Sequence, residues 1–185
     1  PYVEYKGFQM HGHTLGIIGY GSIGRRVGAI CRAFGMNVIV SDPYLKQDMV
    51  EEYVTLKSFD EVLSEADIIT VHCKDVPETE KLINARAFSK MKPTAYFINT
   101  SRGAVIDEQA LIEALRNKKI AGAALDVYES EPIAKDHPFL TEFNNVVTTP
   151  HLAGATYDAI TNHTKMLVDD VKHFLCGEEL EYEYK

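Results

Sequence analysis

Leu15-Gly16-Ile17-Ile18-Gly19-Tyr20-Gly21-Ser22-Ile23-Gly24 is an apolar run of strand type that meets three glycines in the pattern G-x-G-x-x-G. A helical pattern follows over 25–34. Gly19 can adopt the backbone angles that a tight strand-to-helix turn requires. Gly21 has no Cβ, so a pyrophosphate can approach the main chain, and Gly24 lets the helix pack close to the strand. The free N–H groups and positive dipole end of the helix then face the phosphates. Gly19, Gly21, Ser22, Ile23 and Gly24 are therefore the expected phosphate cradle. Glycine turns are common, so the surroundings decide. A second strand, Asn37–Ser41, runs into Asp42, about eighteen residues past Gly24, where an acid can bond a ribose 2′-hydroxyl. The stretch reads as a dinucleotide site, with an accidental glycine turn as the alternative.

Outward from this unit, strands alternate with helices. Residues 43–57 read as a polar loop with a short strand. Ser58-Phe59-Asp60-Glu61 has the form of a capping box and starts a short helix to about Glu65. A buried strand at 68–72 leads to a polar loop over 74–80. A short helix at 84–90 stops before Pro93, and a strand follows at 95–99. Thr100-Ser101-Arg102-Gly103 turns the chain into a helix at 107–117, with apolar residues at Ala110, Leu111, Ala114 and Leu115. Residues 120–125 are a small-residue strand expected near the sheet centre. Residues 128–144 read as a long irregular connection, a length that is uncommon unless functional. A last short strand, Val146–Thr148, precedes a long helix at 156–175 with Gly177 just beyond its end. The pattern is α/β, a Rossmann-type doubly wound parallel sheet with helices on both faces.

With 185 residues, 45% hydrophobic and 25% charged, the chain suits one domain with a proper core. Residues 1–11 are expected to be a lead-in or an arm on a partner subunit, 12–155 the core, and 156–185 a helix and tail. Tyr2, Val3, Tyr5 and Phe8 in the lead-in lack periodicity. A net charge of −8 argues against nucleic acid or an anionic membrane as partner. No apolar run has membrane-spanning length, and no signal-peptide pattern opens the chain. Cys31, Cys73 and Cys176 are far apart and in no metal spacing, which reads as reduced thiols of a cytoplasmic protein without a metal site.

In such sheets, ligands bind beyond the carboxyl ends of the strands. Asp42, His72, Arg102, Asp126 and His151 all stand at or just after an expected strand end, so they should share the rim that holds the glycine turn. Arg102 could grip a carboxylate with two prongs or pair with a nearby acid. His151 could carry a proton or be simply solvated. Glu131 could orient His151 and favour its charged form, or be a loop acid. Asp126 could accept from a cofactor amide or cap the next turn. His72 reads as a core or rim residue without a role, and 178–183 as a solvated tail.

The ordered motifs resemble the D-isomer-specific 2-hydroxyacid dehydrogenases over 11–177. They are Thr14 to Gly24, His72 to Thr79, Asn99-Thr100-Ser101-Arg102-Gly103, Ala124-Leu125-Asp126-Val127-Tyr128-Glu129 with Glu131-Pro132, and Thr149-Pro150-His151-Leu152-Ala153-Gly154-Ala155-Thr156. The resemblance implies hydride transfer between NAD(H) and the carbonyl carbon of a 2-oxo acid, in an oxidoreductase that includes phosphoglycerate dehydrogenase-like members. By the same resemblance, Arg102 holds the substrate carboxylate and carbonyl, His151 donates the proton, and Glu131 keeps His151 charged and aimed. Asp126 anchors the nicotinamide carboxamide. Thr100, Ser101 and the main chain from His151 to Gly154 line the pocket. Cys73, Lys74 and Thr79 pass the adenosine. The family often has proline where Lys74 stands and threonine where Val76 stands. NAD is expected over NADP, because Asp42 repels a 2′-phosphate and no arginine follows within three residues.

The family also carries an N-terminal substrate domain of roughly a hundred residues before the glycine turn, and the segment 156–185 would return to it. Most of that domain is expected to be missing here. The expectation is a chain that binds NAD and turns over substrate poorly alone. A homodimer through the cofactor domain is expected, with 1–12, Phe139, Leu140 and Phe143 as candidate contacts or as ordinary packing. The alternative function is an NAD-sensing, corepressor-like module that keeps the fold and the same three residues.

Overall fold

Two apolar strands either side of a glycine turn need cover on both faces, and the computed structural model shows how this chain supplies it. The structure describes residues 7–182; the lead-in residues Tyr2, Val3 and Tyr5, and Glu183 of the tail, lie outside that range. The elements in order are β1 (Thr14–Ile18), α1 (Ser22–Ala33), β2 (Asn37–Ser41), β3 (Val54–Leu56), α2 (Phe59–Glu65), β4 (Ile68–Val71), α3 (Ala85–Lys90), β5 (Tyr96–Asn99), α4 (Glu108–Arg116), β6 (Gly122–Leu125), α5 (Pro138–Thr141), β7 (Val146–Thr148) and α6 (Tyr157–Cys176). Short 3-10 turns lie at Gln47–Met49, Pro77–Thr79 and Gly103–Val105.

The seven strands form one parallel sheet in the order β3-β2-β1-β4-β5-β6-β7. The chain therefore winds outward in one direction from β1 and in the other from β4. The carboxyl ends of these two central neighbours are the switch point at which open α/β sheets bind ligands. Alternation along the strands divides the core. Leu15, Ile17, Val38 and Val40 pack with Tyr20, Met36 and Val54, and with Val27 and Cys31 of α1. Ile18 and Ile39 face the other way, toward Val62, Leu63, Phe88, Leu111 and Leu115 of α2 to α4. The Phe88 and Phe97 rings meet edge to face at 5.4 Å, a geometry that adds to the area they bury.

Helix ends follow the sequence. Ser58 and Glu61 form a reciprocal capping box. Asn84 caps α3 through Arg86 N and Ala87 N, and Asp107 caps α4 through Ala110 N. Three expectations are corrected. Helix α1 begins at Ser22 rather than Arg25, so its first turn is the glycine motif itself. Strand β6 is next to the edge strand β7, not central. Its small residues reflect a close approach instead, since a Cβ on Gly122 would stand 2.5 Å from the Asn145 carbonyl oxygen. The 128–144 connection contains α5, with Pro138 at its start and the His137 ring accepting from Phe139 N. Phe139 is thereby buried in its own core, which removes it from the candidate dimer contacts. Phe143 packs partly against that core, whereas Leu140 is exposed.

The chain divides into two compact units, Pro1–Pro150 and His151–Lys185. The second is α6 with its flanks. Thr156 caps the helix by accepting from Ala159 N, and Gly177 ends it at φ 71°. No described helix is long and apolar enough to cross a membrane.

Candidate active site

The glycine turn stands at the switch point. Gly19 has φ +88°, and a Cβ there would lie 2.9 Å from the His72 carbonyl at the end of β4. A Cβ on Gly24 would lie 2.4 Å from Gly19 O. Both glycines are therefore required by the fold. Gly21 differs: a Cβ there would meet nothing within 4 Å. The open space beside Gly21 adjoins the N-terminus of α1, which has no side-chain cap and no acid in its first turn. Main-chain N–H groups and a positive dipole end are thus left for an anion. Ser22 and Ile23 are exposed at this end. Asp42 follows β2 and faces the same turn, its Oδ2 accepting from Tyr20 N at 2.9 Å and its Oδ1 from Tyr44 N at 3.0 Å. An open cradle over free N–H groups, with a carboxylate beside it, fits a dinucleotide.

After β4, His72 is half-buried with Nε2 3.1 Å from Thr70 Oγ1, and burial lowers its pKa. The Cys73 thiol lies 3.5 Å from Ile18 O. Burial, and then the charge of Asp42, push it up to about 11. Lys74 is exposed. The Thr79 hydroxyl is engaged within its own loop, donating to Lys74 O and accepting from Val76 N at 3.2 Å.

The turn after β5 is built on Asn99, to which the strand pattern alone assigns no role. Asn99 is fully buried. Its Oδ1 accepts from Ser101 N at 2.9 Å and Ser101 Oγ at 2.7 Å, and its Nδ2 donates to Arg102 O at 2.9 Å. The signal was a polar side chain closing an apolar strand, two residues before a serine. Thr100 and Arg102 are left exposed at the edge. Arg102 Nη1 donates to Ser101 O at 2.7 Å, and Arg102 makes no ion pair among the described residues. Main-chain bonds from Lys81 N to Ala104 O and from Ile83 N to Val105 O brace the turn from behind.

The turn after β6 meets it. Asp126 is buried at the strand end and accepts from the Thr149 hydroxyl. The Tyr128 hydroxyl lies 3.1 Å from Leu125 O and 2.9 Å from Thr149 O, pinning the connection to the ends of β6 and β7. The main chain of Tyr128 then touches both chemistry-bearing neighbours. Its carbonyl packs on Gly103, next to Arg102, and its N–H donates to Glu131 Oε1 at 3.2 Å. Glu131 itself is exposed, and its peptide to Pro132 is cis.

His151 and Gly154 belong to the second unit. His151 is exposed and adopts φ +56°. Thr156 N donates to Gly154 O at 3.1 Å, and a Cβ on Gly154 would meet open space. A cavity of about 360 Å³ lies at the opposite, amino-terminal edge of the sheet, between Phe8, His13, Asp67, Pro93, Thr94, Tyr96 and Ala121. None of the expected site residues lines it. Among the described residues, no group of three or more His, Cys, Asp or Glu could hold a metal ion.

Comparison with known proteins places these features in a family. The family model for the D-isomer specific 2-hydroxyacid dehydrogenase, NAD binding domain, matches residues 2–153. The chain is 41% identical over 175 residues to the D-3-phosphoglycerate dehydrogenase of Synechocystis sp., covering 94% of this chain and 31% of that protein. It is 43% identical over 178 residues to the D-3-phosphoglycerate dehydrogenase of Bacillus subtilis, covering 94% and 33%. The crystal structure of D-lactate dehydrogenase with NAD+ from Lactobacillus jensenii superposes with a TM-score of 0.88 at 33% identity, covering 98% of this chain and 58% of that one. The chain spans about a third of these phosphoglycerate dehydrogenases and just over half of the lactate enzyme.

Proposed function

This chain belongs to the D-isomer specific 2-hydroxyacid dehydrogenases, as their NAD-binding domain, and from that premise we propose that the whole protein moves a hydride between NAD(H) and a D-2-hydroxy acid or its 2-oxo acid. A phosphoglycerate-like acid heads the candidate substrates, on the strength of the similar relatives. The observation that supports the reading is local: the glycine cradle, Asp42, Arg102 and Asp126 all follow carboxyl ends of one parallel sheet.

NAD(H), when bound, supplies or accepts the hydride. Gly19, Gly21, Ser22, Ile23 and Gly24 hold its diphosphate through main-chain N–H groups. Asp42 takes the adenosine ribose, with Cys73, Lys74 and the main chain near Thr79 beside it. Asp126 receives the carboxamide, and Thr100, Ser101 and Gly154 line the pocket. Arg102 grips the carboxylate of the oxo acid with parallel N–H donors. In reduction the carbonyl carbon gains the hydride, and His151 gives its proton to the carbonyl oxygen. Glu131, whose Oε1 accepts from Tyr128 N–H, is the acid that this reading assigns to His151. Helix α6 packs on the substrate domain, and its exposed apolar residues Ile160, Leu167, Val171 and Phe174 are the surface it uses. In this reading the protein is a cytoplasmic homodimer joined through this domain.

A kinetic test uses the protein with its substrate domain, assayed with NADH against a panel of 2-oxo acids. His151→Asn is expected to lower kcat by about 10²–10⁴ with NADH affinity unchanged. Arg102→Met is expected to raise KM for the oxo acid. Undiminished turnover in His151→Asn would refute the assignment. No observation favours the corepressor-like alternative.

A further inference from the structure

We propose that Glu51 sets a preference for NAD over NADP by keeping the Arg25 guanidinium engaged and so away from a ribose 2′-phosphate. The inference rests on the reading that Asp42 takes the adenosine ribose. Tyr20, the residue between the first two motif glycines, bridges two acids. Its N–H donates to Asp42 Oδ2 at 2.9 Å and its hydroxyl to Glu51 Oε2 at 2.9 Å. Arg25, in the first turns of α1, completes the cluster. Its Nη1 lies 3.1 and 3.2 Å from the two Glu51 oxygens, its Nη2 donates to Met49 O at 3.0 Å, and its guanidinium sits 4.9 Å over the Tyr20 ring.

One carboxylate and one carbonyl thus occupy both terminal nitrogens of a cation that Tyr20 links to Asp42. The next basic residue past Asp42 is Lys46. Partial burial alone would raise the Glu51 carboxyl. Hydrogen bonds from its own main chain, Tyr20 and Arg25 outweigh that and hold it below its ordinary value, so it stays charged at neutral pH. A charged Glu51 makes the Arg25 pair neutral and leaves the net field at the ribose end to Asp42. A 2′-phosphate adds close to two negative charges and requires a cation at that end. The guanidinium tied to Asp42 through Tyr20 is that of Arg25, and Glu51 holds it.

The test is titration of this chain with NADH and with NADPH, followed by nicotinamide fluorescence. Wild type is expected to bind NADH more tightly. Glu51→Gln should tighten NADPH by about tenfold, the effect of one charge-assisted contact, and change NADH by less than about twofold. The gain should shrink as salt rises from about 0.05 to 0.5 M, and Arg25→Met/Glu51→Gln should return to the wild-type ratio. Three results would overturn the proposal: an unchanged ratio in Glu51→Gln, a gain that persists without Arg25, or parallel weakening of both nucleotides. The last would make Glu51 only a brace for its loop. Wild type that binds neither nucleotide would overturn the cofactor reading along with it.

Discussion

Gly103 and Tyr128 share a space that admits no side chain: a Cβ on Gly103 would stand 1.9 Å from the Tyr128 carbonyl oxygen. This contact presses the turn carrying Arg102 onto the turn whose N–H holds Glu131. Gly103→Ala must move main chain on one side or the other. The expected cost is about 2–4 kcal/mol, read as a lower urea midpoint with an unchanged slope. A midpoint equal to wild type would show that the two turns can part freely.

Gly21→Ala makes the opposite case. The site is open and the backbone there is extended, with φ −78°. Stability should stay within about 0.5 kcal/mol of wild type, while NADH affinity falls at least about tenfold as the methyl enters the phosphate cradle. Thermal melting and nucleotide titration on one preparation separate the two effects. Full NADH affinity in this variant would remove Gly21 from the cradle.

These two glycines also mark how far sequence carried the account. Strands Asn37–Ser41 and Val146–Thr148 were legible because buried parallel strands are short apolar runs with polar borders. The Ser58 cap was legible because its partner lies three residues away. The start of α1 was not, since glycine counts against a helix, yet Gly24 lies in its first turn, where only a hydrogen fits against Gly19 O. The place of β6 was hidden as well, because strand order is a tertiary fact. Of the site, the rim residues could be listed from strand ends, but the Asn99 brace and the Tyr20–Glu51–Arg25 cluster join residues that the chain keeps apart or shows no reason to pair.

Cysteine chemistry gives a third prediction. Burial and the Asp42 charge raise Cys73 to about 11, whereas Cys176 is exposed. At pH 8, iodoacetamide should modify Cys176 well before Cys73, because the thiolate is the reactive form. Asp42→Asn should speed Cys73 by removing one of the two causes. Peptide mass mapping over time reads both rates. Equal rates for the two thiols would contradict the geometry around Cys73.

His72 gives a fourth. Burial lowers its pKa in the fold from the ordinary 6.5, so the folded chain favours the neutral ring. As pH falls below about 6.5, the unfolded chain takes up a proton that the folded one resists, and stability declines. Above that value the contribution is level. His72→Gln should flatten the urea-midpoint slope below about pH 6.5. A slope that keeps its wild-type value would place the acid sensitivity elsewhere.

The central claim is that the nucleotide lies along the carboxyl edge of the sheet, over the switch point between β1 and β4. Amide chemical-shift mapping of the 185-residue chain, with and without NADH, tests it most directly. The account predicts perturbations at Gly19 to Gly24, Asp42, Cys73, Ser101, Arg102 and Asp126, with Phe8, His13 and Tyr96 unmoved. Perturbations gathered around Phe8, His13 and Tyr96, at the amino-terminal edge, would contradict it.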